Sequence, residues 1–160
     1  MGDVDGNLYR SRGEEPLELI RSLGFEIGQL FADRQSDRLL VVAGDHKGIK
    51  VLETSTGGEL YNVEAGLVQS LTMDEKGVLY TGDGRGFLKL WHLGQDHAEL
   101  ISEHITGHRI SITALFAKDG EVWVGGLENG HLEKWQPSSN NHEIWEGHTD
   151  GVREIVSAGP

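Results

Sequence analysis

Eight histidines, a surplus of carboxylates and one glycine-rich hexapeptide are the residues of this chain whose types invite chemistry. The histidines are His46, His92, His97, His104, His108, His131, His142 and His148. A zinc site needs three or four ligands at close spacing. Only His104 and His108 stand four apart, and they flank a turn rather than share a helix face, so the histidines read as repeat-borne or surface residues. There is no cysteine, hence no thiol nucleophile, disulfide or zinc-finger spacing. Glu14-Glu15, Asp74-Glu75, Glu128 and Asp150 fall in turn-like segments. A glycosidase needs two carboxylates converging on one bond, and these read as solvated loops instead. GDGRGF at 82–87 mimics a phosphate loop. It lacks the Lys-Ser/Thr ending and runs into a strand-like segment rather than a helix. No serine nucleophile elbow is present. The expectation is no enzyme, with no catalytic, cofactor-binding or metal-ligating residues.

Charge excludes a further class. Against 26 acidic residues stand 14 Lys and Arg, a net charge of −12. Such a surface repels phosphate backbones, so no nucleic-acid partner is expected. No apolar run approaches the ~18–20 residues that cross a bilayer, and no signal-peptide pattern opens the sequence. A protein with no membrane partner, in the cytoplasm or nucleus, is expected.

The elements that must position any site repeat. Residues 2–10 read GDVDGNLYR, 44–52 GDHKGIKVL, 82–91 GDGRGFLKLW and 126–135 GLENGHLEKW. The second glycines, Gly6, Gly48, Gly86 and Gly130, recur at intervals of 42, 38 and 44 residues. Each pair brackets a tight turn where a φ above zero is called for. A period near 40 with short apolar strands means small sheets that bury their faces by stacking. LVQSLT (67–72), VLYT (78–81), FLKLWH (87–92) and AELISEHI (98–105) predict four strands of one unit. IGQLFA, LLVV, IKVL and ELYNV predict the unit before it, and ISITALF, EVWV, HLEKW and HEIW the unit after it. NLYR and LELIRSL (17–23) predict the last two strands of an N-terminal part-unit, with a helix starting at Pro16 as the alternative. VREIVS (152–157) predicts a first strand only.

Four-stranded units of about 40 residues whose third strand ends in Trp resemble the WD-repeat β-propeller family. TGDGRGFLKLWH (81–92) carries the likeness best, with the pairs Gly107-His108 and Gly147-His148 ahead of first strands. The terminal dipeptides are degenerate: Ser11-Arg12, Glu53-Thr54, Trp91-His92 and Trp135-Gln136. The resemblance implies an all-β propeller fold with blades of four antiparallel strands, three complete and two partial. It divides one domain (1–160) into a partial blade 1–26, blades 27–66, 67–109 and 110–149, and a partial blade 150–160. It also implies a buried stabilising network of His, Asp, hydroxyl and Trp. Asp5, Thr81, Trp91, His108, Asn129, Trp135 and His148 stand at its positions. No contiguous repeat has all four members: Arg85 and Lys47 replace Asp in two turns, and Gly125 stands at the hydroxyl position of the third unit.

Four basic residues stand out on this acidic chain. Lys47, Arg85, Arg109 and Arg153 lie in turns or near the starts of first strands, toward one end of a WD-type arrangement. Such a basic spot can steer and bind an acidic peptide, with Arg pairing carboxylates in bidentate fashion. The resemblance therefore implies a non-enzymatic protein-interaction scaffold. The alternatives are a structural propeller fragment or subunit completed by self-association or a partner chain, and, less favoured, an enzyme using the propeller axis. With about four blades encoded, a homo-oligomer completing a ring is expected. The two ends are expected to complete one composite blade, with His148 approaching Asp5.

Overall fold

A computed structural model describes residues 1–11, 13, 15–33, 35–106, 111–126, 130–146 and 150–156. Among them are fourteen strands and no helix. The protein is all-β, built from propeller-type sheets, three of them with four antiparallel strands in simple up-and-down order. The chain divides into two compact units.

The first unit holds Met1–Leu67 and Gln95–His97. Strands β1 (Asn7–Arg10) and β2 (Glu18–Ser22) pair with each other. The strand reading of LELIRSL therefore holds over the helix alternative. Strands β3 (Ile27–Asp33), β4 (Arg38–Ala43), β5 (Lys47–Glu53) and β6 (Glu59–Leu67) form the next sheet. Leu8, Val41 and Leu52 are buried between these sheets, with Ile20, Phe25 and Leu30 packed on them. The Ile27 N–H donates to the Asp3 carbonyl at 3.3 Å. The Ile27 side chain fills the space a Cβ on Gly2 would need.

The second unit holds Val68–Gly94 and Ala98–Pro160. Its first sheet is β7 (Ser70–Met73), β8 (Val78–Gly82), β9 (Phe87–Leu93) and β10 (Ala98–Ile105). Its second is β11 (Ile112–Lys118), β12 (Glu121–Gly126), β13 (Leu132–Gln136) and β14 (Asn141–Trp145). Tyr80, Leu88, Leu90, Ile112, Val122 and Trp135 are buried in the core they share. Each fully buried aliphatic side chain contributes roughly 1.5–3 kcal/mol. The strand β8 is buried on both faces beyond Val78, whereas β14 is exposed throughout. That gradient from inner to outer strands is the one stacked blades require. The Asp74 carboxylate closes the β7–β8 hairpin, accepting the N–H groups of Lys76 and Val78 at 2.9 Å and the Tyr80 hydroxyl at 3.0 Å. Burial, and then the Asp74 charge, pushes the Tyr80 phenol well above its usual range.

Two expectations need correction. Leu67 ends the outer strand β6, paired with Lys47, and does not open the next first strand. VREIVS does not form a strand over its described residues. Val152 docks on β12 all the same: its N–H donates to the Gly126 carbonyl at 2.8 Å and its own carbonyl accepts the Thr113 hydroxyl at 2.8 Å. With no second strand beside it among the described residues, the segment has nothing to form a ladder with. Sheet β1–β2 likewise has only two strands. The described residues of the two chain ends belong to different units, and His148 lies outside the described residues.

Candidate interaction surface

Three of the glycine turns are built alike, and a residue the motif reading passed over holds them. Asp83, directly after Gly82, accepts the N–H groups of Arg85 and Phe87 at 2.8 and 2.9 Å. Asp3 does the same for Asp5 and Asn7, at 3.1 and 2.7 Å. Asp45 accepts the Lys47 N–H at 3.1 Å. These backbone bonds hold the Asp3 and Asp45 carboxyls below the usual range. The recurrent Gly-Asp dipeptide was the available signal. Gly6, Gly48, Gly86 and Gly130 all sit at positive φ, between 63° and 84°. The chain reverses there in a conformation that a side chain disfavours. The first glycine has a different role. At Gly82 a Cβ would stand 2.4 Å from Ile112 of the neighbouring sheet.

The fourth turn carries one extra residue. Gly82 pairs with Leu88, and Gly125, not Gly126, pairs with Leu132. A Cβ on Gly125 would meet Val152 at 2.6 Å, as one on Gly82 meets Ile112. The first glycine of the fourth turn is thus Gly125. The residue aligned with Thr81 is Val124, which corrects the hydroxyl position.

The basic residues fall as follows. Lys47 is exposed, and its Nζ lies 3.5 Å from the Asp45 carboxylate in the first unit. Arg85 is exposed at its turn tip, and Arg153 is exposed one residue beyond the docked Val152, both in the second unit. Arg109 lies outside the described residues.

Of the network positions, Thr81 and Trp91 meet: the Trp91 indole N–H donates to Thr81 Oγ1 at 3.0 Å, with both residues buried. Asp5 is exposed. His108, Asn129 and His148 lie outside the described residues. Trp135 is buried and finds other partners. With valine at 124, its indole N–H reaches Asn140 Oδ1 at 3.4 Å. Its ring stacks on His104, centroids 4.6 Å apart and planes 11° from parallel. His104 Nε2 stands 3.8 Å from the buried Glu133 carboxylate. This His104–Trp135–Glu133 cluster was missed in sequence because its members belong to two blades. Among the described residues no group of three or more His, Cys, Asp or Glu is placed to hold a metal. No helix there is long and apolar enough to cross a membrane.

Comparison with known proteins agrees on the fold. No protein-family model matches the sequence, and no curated protein matches it. Among solved structures, the crystal structure of RRP9 WD40 repeats superposes with a TM-score of 0.73 at 16% identity, covering 92% of this chain and 46% of that one. The structure of U3-55K gives 0.72 at 15%, covering 96% and 46%. The Cps50 (Swd1) β-propeller domain of Myceliophteria thermophila gives 0.74 at 14%, covering 92% and 54%. The sheets are WD40-type propeller blades, as the resemblance implied. The chain spans about half the length of these structures.

Proposed function

We propose that this chain is a non-enzymatic protein-interaction scaffold of WD-repeat type, acting inside the cell, with blades at 27–67, 68–109 and 110–149 and partial blades at its ends. The observation that carries the reading is the pair of arginine-bearing tips on a rigid frame. Arg85 projects from a turn clamped by Asp83, and Arg153 follows Val152, itself hydrogen-bonded to Gly126 and Thr113. Exposed arginines on backbone held in this way suit a carboxylate-bearing segment. The partner contact is accordingly an acidic peptide, met by Arg85 and Arg153 rather than by Lys47, which is already paired with Asp45. The test is titration of a labelled hexaglutamate peptide. R85E/R153E should abolish saturable binding while leaving the melting temperature unchanged, since exposed substitutions cost under about 0.5 kcal/mol. Unchanged binding would defeat the reading.

A second reading, a part-propeller completed by another copy, is favoured by the face of sheet β11–β14 that receives Val152. There Trp145 is 47% exposed and stands against Trp123 at 4.7 Å. Such a pair normally lies in a covered interface. Light scattering over a range of concentrations should then give twice the chain mass. A constant single-chain mass would reject this.

A further inference from the structure

The first unit contains a groove that neither the arginine tips nor the network uses. It lies beside the turn Asp45–Gly48 and beneath the β2–β3 connection, and encloses about 550 Å³. Ligand sites commonly fall between roughly 300 and 1,000 Å³. We infer that this groove binds a basic side chain, arginine or lysine, of a partner peptide.

Three observations converge on that chemistry. The first is the aromatic wall. Phe25 is half-buried at the groove, and Lys50 Nζ already stands 5.8 Å from its ring centroid. The ring therefore already holds a cation over its face, an attraction worth about 0.5–1 kcal/mol at an exposed site, and a bound guanidinium takes the place of Lys50 there. The second is the pair of carboxylates at the mouth, Glu26 and Glu64, both exposed. Glu26 is positioned by the absence of a side chain opposite. A Cβ on residue 44 would stand 2.7 Å from Glu26 Cδ and 2.9 Å from Oε2, so a side chain there would push the carboxylate aside from its place across the turn. The Gly44 N–H fixes the same residue by donating to the Glu26 carbonyl at 2.7 Å.

The third observation is the state of the groove's own cations. Lys50 Nζ is 2.9 Å from Glu59 and Lys47 Nζ is 3.5 Å from Asp45. Lys50 holds the Glu59 carboxyl below its ordinary range. An anionic ligand would compete with Asp45 and Glu59 for these lysines while facing Glu26 and Glu64. A cationic one meets two carboxylates and a ring face on a chain of net charge −12, which raises its encounter rate as well as its affinity. Arginine fits best, because its planar guanidinium stacks on the ring and pairs a carboxylate at its edge. The site lies in the other unit from Arg85 and Arg153 and does not depend on them.

The test is an NMR titration of the full chain with the blocked pentapeptide Ac-Gly-Gly-Arg-Gly-Gly-NH2, and with the same peptide carrying citrulline or glutamate in place of arginine. The arginine peptide should give saturable shifts centred on the amides of Phe25, Glu26, Gly44 and Glu64. E26Q/E64Q should weaken binding at least tenfold, F25L several-fold, and R85E/R153E not at all. Citrulline, uncharged and nearly isosteric, should not bind. Shifts spread over the acidic surface and unaffected by E26Q/E64Q would overturn the inference. So would saturable binding of the glutamate peptide at these residues, or equal binding of citrulline. The melting temperature of each variant, that of the half-buried F25L above all, confirms that the fold is intact, and G44A offers a second route by displacing the Glu26 carboxylate without removing a charge.

Discussion

Replacing Thr81 with valine isolates one buried hydrogen bond. The two side chains have nearly the same shape, so the change opens no cavity, and what is lost is the Oγ1 acceptor 3.0 Å from Trp91 Nε1. Thr81 is 3% exposed and Trp91 6%, so water cannot replace the hydroxyl without opening the sheet. A buried donor left without an acceptor costs about 1–3 kcal/mol. For a chain of this size, each kcal/mol moves the melting temperature by roughly 2–4 °C. T81V should therefore melt about 2–12 °C lower. Its urea midpoint should fall while the slope of the transition stays unchanged, because the surface exposed on unfolding is the same. The control is the same substitution in a W91F background, where no indole N–H remains to be orphaned. T81V should cost less there by a coupling of about 0.5–3 kcal/mol. Equal costs in the two backgrounds would refute the argument, since the loss would then come from Thr81 packing and not from the bond.

The first glycine of each turn should behave as a packing residue and the tip glycine as a free one. G82A drives a methyl to 2.4 Å from Ile112 and should cost about 1–3 kcal/mol by overpacking. G84A, whose nearest neighbour is Gln69 at 3.9 Å, should stay within about 0.5 kcal/mol, and equal urea midpoints for the two would refute the packing role. Acid should weaken the fold through depressed carboxyls. The Lys47 backbone N–H lowers Asp45, Lys50 lowers Glu59, and Lys134 followed by Gln136 lowers Glu121. In the window between the ordinary carboxylate range and these lower folded values the unfolded chain binds more protons. The stabilisation is thus present above the ordinary range and lost as pH falls through the folded values. Urea midpoints followed from about pH 6 to pH 2.5 should fall less steeply in D45N/E121Q than in the parent. Parallel curves would show that other groups carry the acid limb.

Strand positions were legible because a half-buried sheet writes its period into the side chains. AELISEHI coincides with β10 and FLKLWH ends one residue short of β9. The starts of first strands were less legible. Pairing slips by one residue between Ile27 and Gln29 and between Ile112 and Ala114. Val68 is 1% exposed yet lies outside any strand. At Ile27 and Ile112 docking onto the preceding sheet, against Gly2 and Gly82, decides what is buried, and a linear pattern carries no record of it. The slip in the fourth turn is of the same kind. Gly125 and Gly126 are both glycine, so spacing alone selects the pair four apart, whereas the cross-strand pairs Val122–Trp135 and Gly125–Leu132 select the other.

The polar network was legible as a pattern and illegible as contacts, and the reason bears on how far such a sequence can drift. Where the hydroxyl is present, at Thr81, Trp91 makes the expected bond. Where valine replaces it, Trp135 keeps its buried place, covers its ring with His104 and turns its N–H toward Asn140. Both indoles are buried, and Trp135 shares its core with the aliphatic side chains of Leu88, Leu90, Val122 and Val124. Burial of those side chains supplies the larger free energy, and the polar partner of the indole is a smaller addition that several side chains can make. Selection on the fold therefore acts on volume and burial at these positions more strongly than on the identity of the acceptor. A chain under that constraint keeps its blades superposable, with TM-scores of 0.72–0.74, while identity falls to 14–16%. It follows that introducing threonine at Val124 should be tolerated: the hydroxyl gains the indole N–H as a partner, worth about 1 kcal/mol, against a comparable cost of burying it. A loss well above that, read from the urea midpoint, would show that the acceptor position in this blade is closed to a hydroxyl and that the two indoles are not equivalent.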